Sequence, residues 1–80
     1  MFNITARTVF DERLKKIHAM PAGDVVGSEA EMNYLAGLVS YALFVGDIEH
    51  EESTQLHSCI NAARTLRVSR LCQSAARVHA

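Results

Sequence analysis

Tryptophan is absent from this 80-residue chain, and proline occurs only once. Cysteine occurs twice, and the formal net charge is only −1. Each shortage removes a class of protein. Nucleic-acid-binding domains are usually strongly basic, so the overall balance does not point to one. Two cysteines, Cys59 and Cys72, make no disulfide framework. Thirteen residues apart on one helix they would stand roughly 20 Å from each other, beyond disulfide reach. They are expected as reduced, half-buried thiols of a cytoplasmic protein. The N-terminus has no apolar segment of the kind a signal peptide needs. The longest apolar run, Met32 to Val45, is too short to span a bilayer.

Chemical motifs are missing as well. There is no glycine-rich phosphate loop, no Cys-x-x-Cys and no Glu-x-x-His pair. His50 and His57 share a helical face, yet a metal site needs three or four converging ligands. His57 and Cys59 point about 160° apart on a helix, so they cannot act as base and nucleophile. No catalytic residue, cofactor site or metal site is expected, and the chain is read as a non-enzyme.

What is present is helical. Apolar residues make up 49% of the chain, which marks a globular domain. The spacing of Ala6, Phe10, Leu14 and Ile17, with Val9 alongside, predicts a first helix over about 4–20. Asn3 or Thr5 would cap it, Glu12 and Lys16 would pair along its surface, and Pro21 and Gly23 would end it. Ser28 and Glu31 have capping-box spacing and predict a second helix over about 29–45, closed by Gly46. A third helix is expected over about 48–78, forming an antiparallel hairpin with the second. The fold class is therefore all-α, one domain of three helices that assembles into an oligomeric bundle.

The second helix is the reason for expecting assembly. Met32, Leu35, Ala36, Val39, Ala42 and Leu43 form one apolar face, while Tyr34, Leu38, Tyr41 and Val45 form another. Only Asn33 and Ser40 are polar between Met32 and Val45. A helix that is apolar all round must be surrounded, and two neighbours cannot surround it. Tyr34, Leu38, Tyr41, Val45, Met32 and Val39 are the expected homo-oligomer interface.

Charge is segregated. Asp24 to Glu52 carries seven acids and no Lys or Arg; beyond Glu52 there are four arginines and no acid. Arg64, Arg67, Arg70 and Arg77 are candidate partner-binding residues, because guanidinium forks suit carboxylates. A helix-turn-helix around Gly46 is disfavoured, since Glu49, Glu51 and Glu52 would face DNA phosphates. In the third helix the apolar stripe of Leu56, Cys59, Ile60 and Ala63 shifts past Leu66 to Val68, Leu71, Cys72, Ala75 and Val78. Either the helix bends there or its second half meets a different partner.

The stretch MNYLAGLVSYALFVGDIEHEE, Met32 to Glu52, resembles the helical hairpins of small phage and prophage proteins. Together with the first-helix segment TARTVFDERLKKI, the chain is similar to small phage antirepressors. That resemblance implies a helical oligomer that binds a transcriptional repressor and disables it without touching DNA. It assigns no role to any residue. The alternatives are a nucleic-acid-binding module using the arginine face, and a structural assembly subunit.

Overall fold

Three helices account for nearly the whole chain: α1 (Ile4–Ala19), α2 (Val25–Phe44) and α3 (His50–His79). The structure, a computed structural model, describes residues 2–79 and the side chains of residues 2–76. No strand occurs among the described residues. The side chains of Arg77 and Val78 lie outside them.

α1 begins where Asn3 caps it. The Asn3 side-chain oxygen accepts from the Thr5 amide at 2.8 Å and the Ala6 amide at 3.3 Å, satisfying two of the orphan donors of a helix start. It ends at Met20, whose backbone is extended with φ −69° and ψ 147°, as the ring of a following proline demands. Phe10 and Ile17 are buried, and Ala6 and Leu14 pack against them. Phe2, ahead of the helix, is buried edge-on against Phe10 with ring centroids 6.3 Å apart.

α2 starts four residues earlier than the capping-box spacing predicts. Asp24 is the cap, accepting from the Gly27 amide at 2.9 Å. Ser28 is inside the first turn, buried, with its hydroxyl donating to the Val25 carbonyl. The Ser28–Glu31 box therefore does not form, and Glu31 turns instead toward α1. Lys16 follows it, bonding Glu31 at 3.2 Å rather than pairing with Glu12. The far end of α2 closes as expected at Gly46, which has φ +81°. The Gly46 amide donates to Leu43 and the Asp47 amide to Ala42, the paired bonds of a Schellman motif that needs a left-handed residue there.

α3 is continuous through residue 79, so the shift of its apolar stripe past Leu66 occurs within one unbroken helix. Ser53, Leu56, Ile60, Ala63 and Arg67 are all buried, at alternating spacings of three and four that keep one face inward. Cys59 is off that face. Both cysteines are exposed and free, rather than half-buried. Thirty residues at about 1.5 Å each make α3 roughly 45 Å long, nearly the molecule's full 50 Å extent. Its last third therefore projects beyond the other two helices, and residues 71–76 are all exposed.

Arg67 sits in the fifth position of the buried stripe, only 5% exposed. Its guanidinium donates to the carbonyls of Ile17 at 2.8 Å, Met20 at 3.0 Å, Pro21 at 2.7 Å and Asp24 at 3.3 Å. These are the end of α1, the connecting loop and the cap of α2. The carbonyls at a helix end carry partial negative charge. Although Ile17, Pro21 and Asp24 each accept one backbone amide, every carbonyl has a second lone pair to offer. A planar cation with five donors satisfies several of them at once. Replacing Arg67 by Met should cost about 3 kcal/mol in urea unfolding, since charge-assisted bonds to buried acceptors are lost. Lys at 67 should recover only part of that loss. Arg70→Ala, which removes one exposed bond to the His18 carbonyl, should cost less than about 1 kcal/mol. Equal losses at 67 and 70 would contradict the assignment.

Candidate interaction surface

α2 touches its neighbours along one side only. Met32, Leu35, Val39 and Ala42 face inward and are at most 4% exposed. Met32 and Val39, expected at an oligomer interface, instead belong to the chain's own core. Glu31 and Tyr34 border α1, and Glu29 borders α3. The opposite side of α2 has no neighbour among the described residues.

That outer side contains Val26, Ala30, Asn33, Gly37, Ser40 and Phe44, all exposed. Val26 is 84% and Phe44 87% exposed, with Tyr41 at 66% beside them. No residue on it is charged. A side chain added at Gly37 would meet nothing within 4 Å. Of the residues expected to form the interface, Tyr41 is exposed, Tyr34 and Val45 are half-exposed, and Leu38 is partly buried against the core. Large apolar groups this exposed, on a surface without charge, make this side the candidate interaction surface.

The edge toward α1 is fixed electrostatically. Arg13 donates to Glu31 at 2.9 Å and its guanidinium lies 4.2 Å from the centre of the Tyr34 ring. Lys16 supplies Glu31 with a second cation. The hydrogen bond from Arg13, then that from Lys16, hold the Glu31 carboxyl below the usual carboxylate range; the same bond raises Arg13. Glu31 thus orients Arg13, and Arg13 holds the Tyr34 ring at the border of the outer face.

The arginines are mostly engaged within the chain. Arg64 makes a two-pronged contact with Glu29, at 3.0 and 3.3 Å. The carboxylate that Arg64 grips therefore comes from the acid-rich Asp24–Glu52 stretch of its own chain. Arg67 is interior and not available to a partner. Arg70 is exposed while bonding the His18 carbonyl, and the Arg77 side chain lies outside the described residues. Beside them, Val68 and Leu71 line a shallow apolar cleft with Ala22, Val25 and Met32. This cleft runs onto the exposed stripe of α3 continuing through Cys72 and Ala75.

Two parts of this surface are not predicted from the sequence. Val26 falls outside a helix that begins at residue 29, so it is not counted; the Asp24-x-x-Gly27 spacing is the signal that would have included it. Phe44 is visible only as an apolar residue near Asn33 and Ser40. Among the described residues, no three His, Cys, Asp or Glu side chains come together as a metal site would need, and no helix is long and apolar enough to cross a membrane.

The Glu31 bonds set a pH dependence. A carboxyl whose folded pKa is lowered stabilises the fold above its unfolded pKa, and that contribution is lost as pH falls through the folded value. Glu31→Gln should therefore lower the melting temperature at pH 7, and the gap to the unaltered chain should close below the carboxylate range. A gap of constant size across that range would show that the ionised carboxylate contributes nothing. Comparison of this chain with protein-family models, curated proteins and solved structures finds no match.

Proposed function

We propose that this chain is a non-enzymatic regulatory protein that self-associates through the α2–α3 hairpin and inhibits another protein by binding it. The resemblance to phage antirepressors makes a transcriptional repressor the natural target. The observation that carries the reading is the exposure of two apolar surfaces on so small a chain. One is the outer side of α2; the other is the cleft and stripe at Val68, Leu71, Cys72 and Ala75. Self-association occupies the first and leaves the second, with Arg70 beside it, for the captured protein.

A chain of 80 residues has little interior to bury apolar groups, so surface of this kind is retained at a cost in solubility. Its retention is accounted for by use. The arginines lend little to a nucleic-acid reading, because Arg64 and Arg67 are already engaged inside the chain.

Tyr41→Asp combined with Phe44→Asp should reduce the assembly to monomers in light scattering. The fold should persist, because both side chains are exposed. Val68→Asp with Leu71→Asp should keep the oligomer and abolish partner capture. The captured protein, purified, should lose its operator DNA when the unaltered chain is added. A salt-dependent shift of random duplex by the chain alone would replace this reading with a nucleic-acid module. Assembly without any capture that depends on Val68 and Leu71 would leave a structural subunit.

A further inference from the structure

The outer residues of α2 recur at alternating spacings of four and three: Val26, Ala30, Asn33, Gly37, Ser40 and Phe44. That is the repeat by which one helix keeps a continuous seam against another. The large members stand at the two ends and the small ones fill the middle. We infer that the occupant of this seam is a second copy of the same helix, lying antiparallel about a two-fold axis at the middle of α2. The inference rests on the self-association proposed above and specifies its geometry.

The order of sizes is what an antiparallel pair needs. With one copy reversed, Val26 stands opposite Phe44, Ala30 opposite Ser40, and Asn33 opposite Gly37, and each pairing occurs twice. Every layer then joins a first position of the repeat to a fourth, as in antiparallel helix pairs. The ends meet large side chain against large. The centre meets small against small, so the backbones can approach to the short end of the usual 8–10 Å interaxial range. A parallel pair in register would also bring small residues together at the centre. It would, however, stack Phe44 on Phe44 at one end and only Val26 on Val26 at the other, so its two ends would be unequally spaced.

Charge favours the same orientation. Asp47, Glu49, Glu51 and Glu52 lie at the end of the molecule where α2 passes into α3. The other end carries Arg70, tied to the α1 terminus through the His18 carbonyl, and Lys15 a turn below. Its acids are Asp24, which caps α2, and Glu29 and Glu31, which are paired with Arg64 and with Arg13 and Lys16, so the cations there remain in excess. Reversing one copy sets the acidic end of each beside the basic end of the other, and the start of each α2 dipole beside the finish of its partner. A parallel pair sets acid beside acid. A closed two-fold contact of this kind uses the same patch on both copies, so it stops at two chains and leaves the Val68–Leu71 surface free on each.

The test uses exposed positions whose replacement leaves the core untouched. In a background with Cys59→Ser and Cys72→Ser, Val26→Cys and Phe44→Cys chains are prepared separately, one with a size tag, and treated with a short bismaleimide. In the antiparallel register two copies of residue 26 are eighteen residues apart along the axis, roughly 27 Å, out of the reagent's reach. The mixed 26–44 product should therefore form at least about tenfold faster than either homodimer. Rapid crosslinking of Val26→Cys with itself would establish a parallel pair and overturn the inference. No crosslink in any combination, with an assembled mass in light scattering, would place self-association on another face and overturn the inference alone. A monomeric mass for the unaltered chain at every concentration would overturn the proposed self-association as well.

Discussion

Everything in this small bundle depends on where the carbonyls of one helix end and one loop find their donors. α1 stops at Pro21, and the chain turns within five residues into α2. The carbonyls of Ile17, Met20, Pro21 and Asp24 converge there, against the inner face of α3. Arg67 reaches all four from the one helix not otherwise part of the turn. A buried charge is costly unless it is fully bonded. Here the carbonyls of Ile17, Pro21 and Asp24, each already taking a backbone amide, offer their second lone pairs, while Met20 accepts from the guanidinium. The guanidinium therefore fixes the end of α1, the start of α2 and the rotation of α3 in one place. With Arg67 inward, Ser53, Leu56, Ile60 and Ala63 are inward too. Val68, the next residue, turns outward, and Leu71, one turn beyond Arg67 on the same face, is exposed because α3 has there run past its neighbours.

The same constraint determines what is left uncovered. α1 and α3 are both held to one side of α2, with Glu31 pinned to α1 and Glu29 to α3. Among the described residues no other element covers the far side. The sequence between Glu31 and Asp47 has no charged residue, so that far side is a seam of small and apolar groups. α3 is also longer than its neighbours, and its projecting third carries a second apolar stripe. An economical monomer would have neither feature. Together they are what supports the proposed association.

Much of the fold is legible in the sequence. The 3.6-residue spacing of Phe10, Leu14 and Ile17, the Met32–Leu35–Val39–Ala42 face and the glycine at position 46 each lead to what the structure contains. The start of α2 is not legible in the same way. Ser28 and Glu31 have the spacing of a capping box, but Asp24 also has the spacing of a cap, and tertiary contacts decide between them. Glu31 gains more from Arg13 and Lys16 than from a backbone amide, and Ser28 is needed inside the turn. Arg67 is the sharpest case. Its place in the stripe of Leu56, Ile60 and Ala63 is plain from spacing, yet charge argues for the surface. Only the convergence of four carbonyls from a distant segment shows why charge belongs inside, and no local pattern reports that.

The candidate surface divides along the same line. The need for α2 to be covered follows from composition alone. Which residues require covering depends on how α1 and α3 are placed, and this moves Met32 and Val39 into the core and brings Val26 and Phe44 out. The most direct measurement is the mass of the unaltered chain by light scattering after size exclusion, at several concentrations. The account predicts a stable species at a multiple of the 8.8 kDa chain mass, shifting toward monomer only on strong dilution. A mass of one chain at every concentration would contradict it, and would mean that the outer side of α2 remains in water.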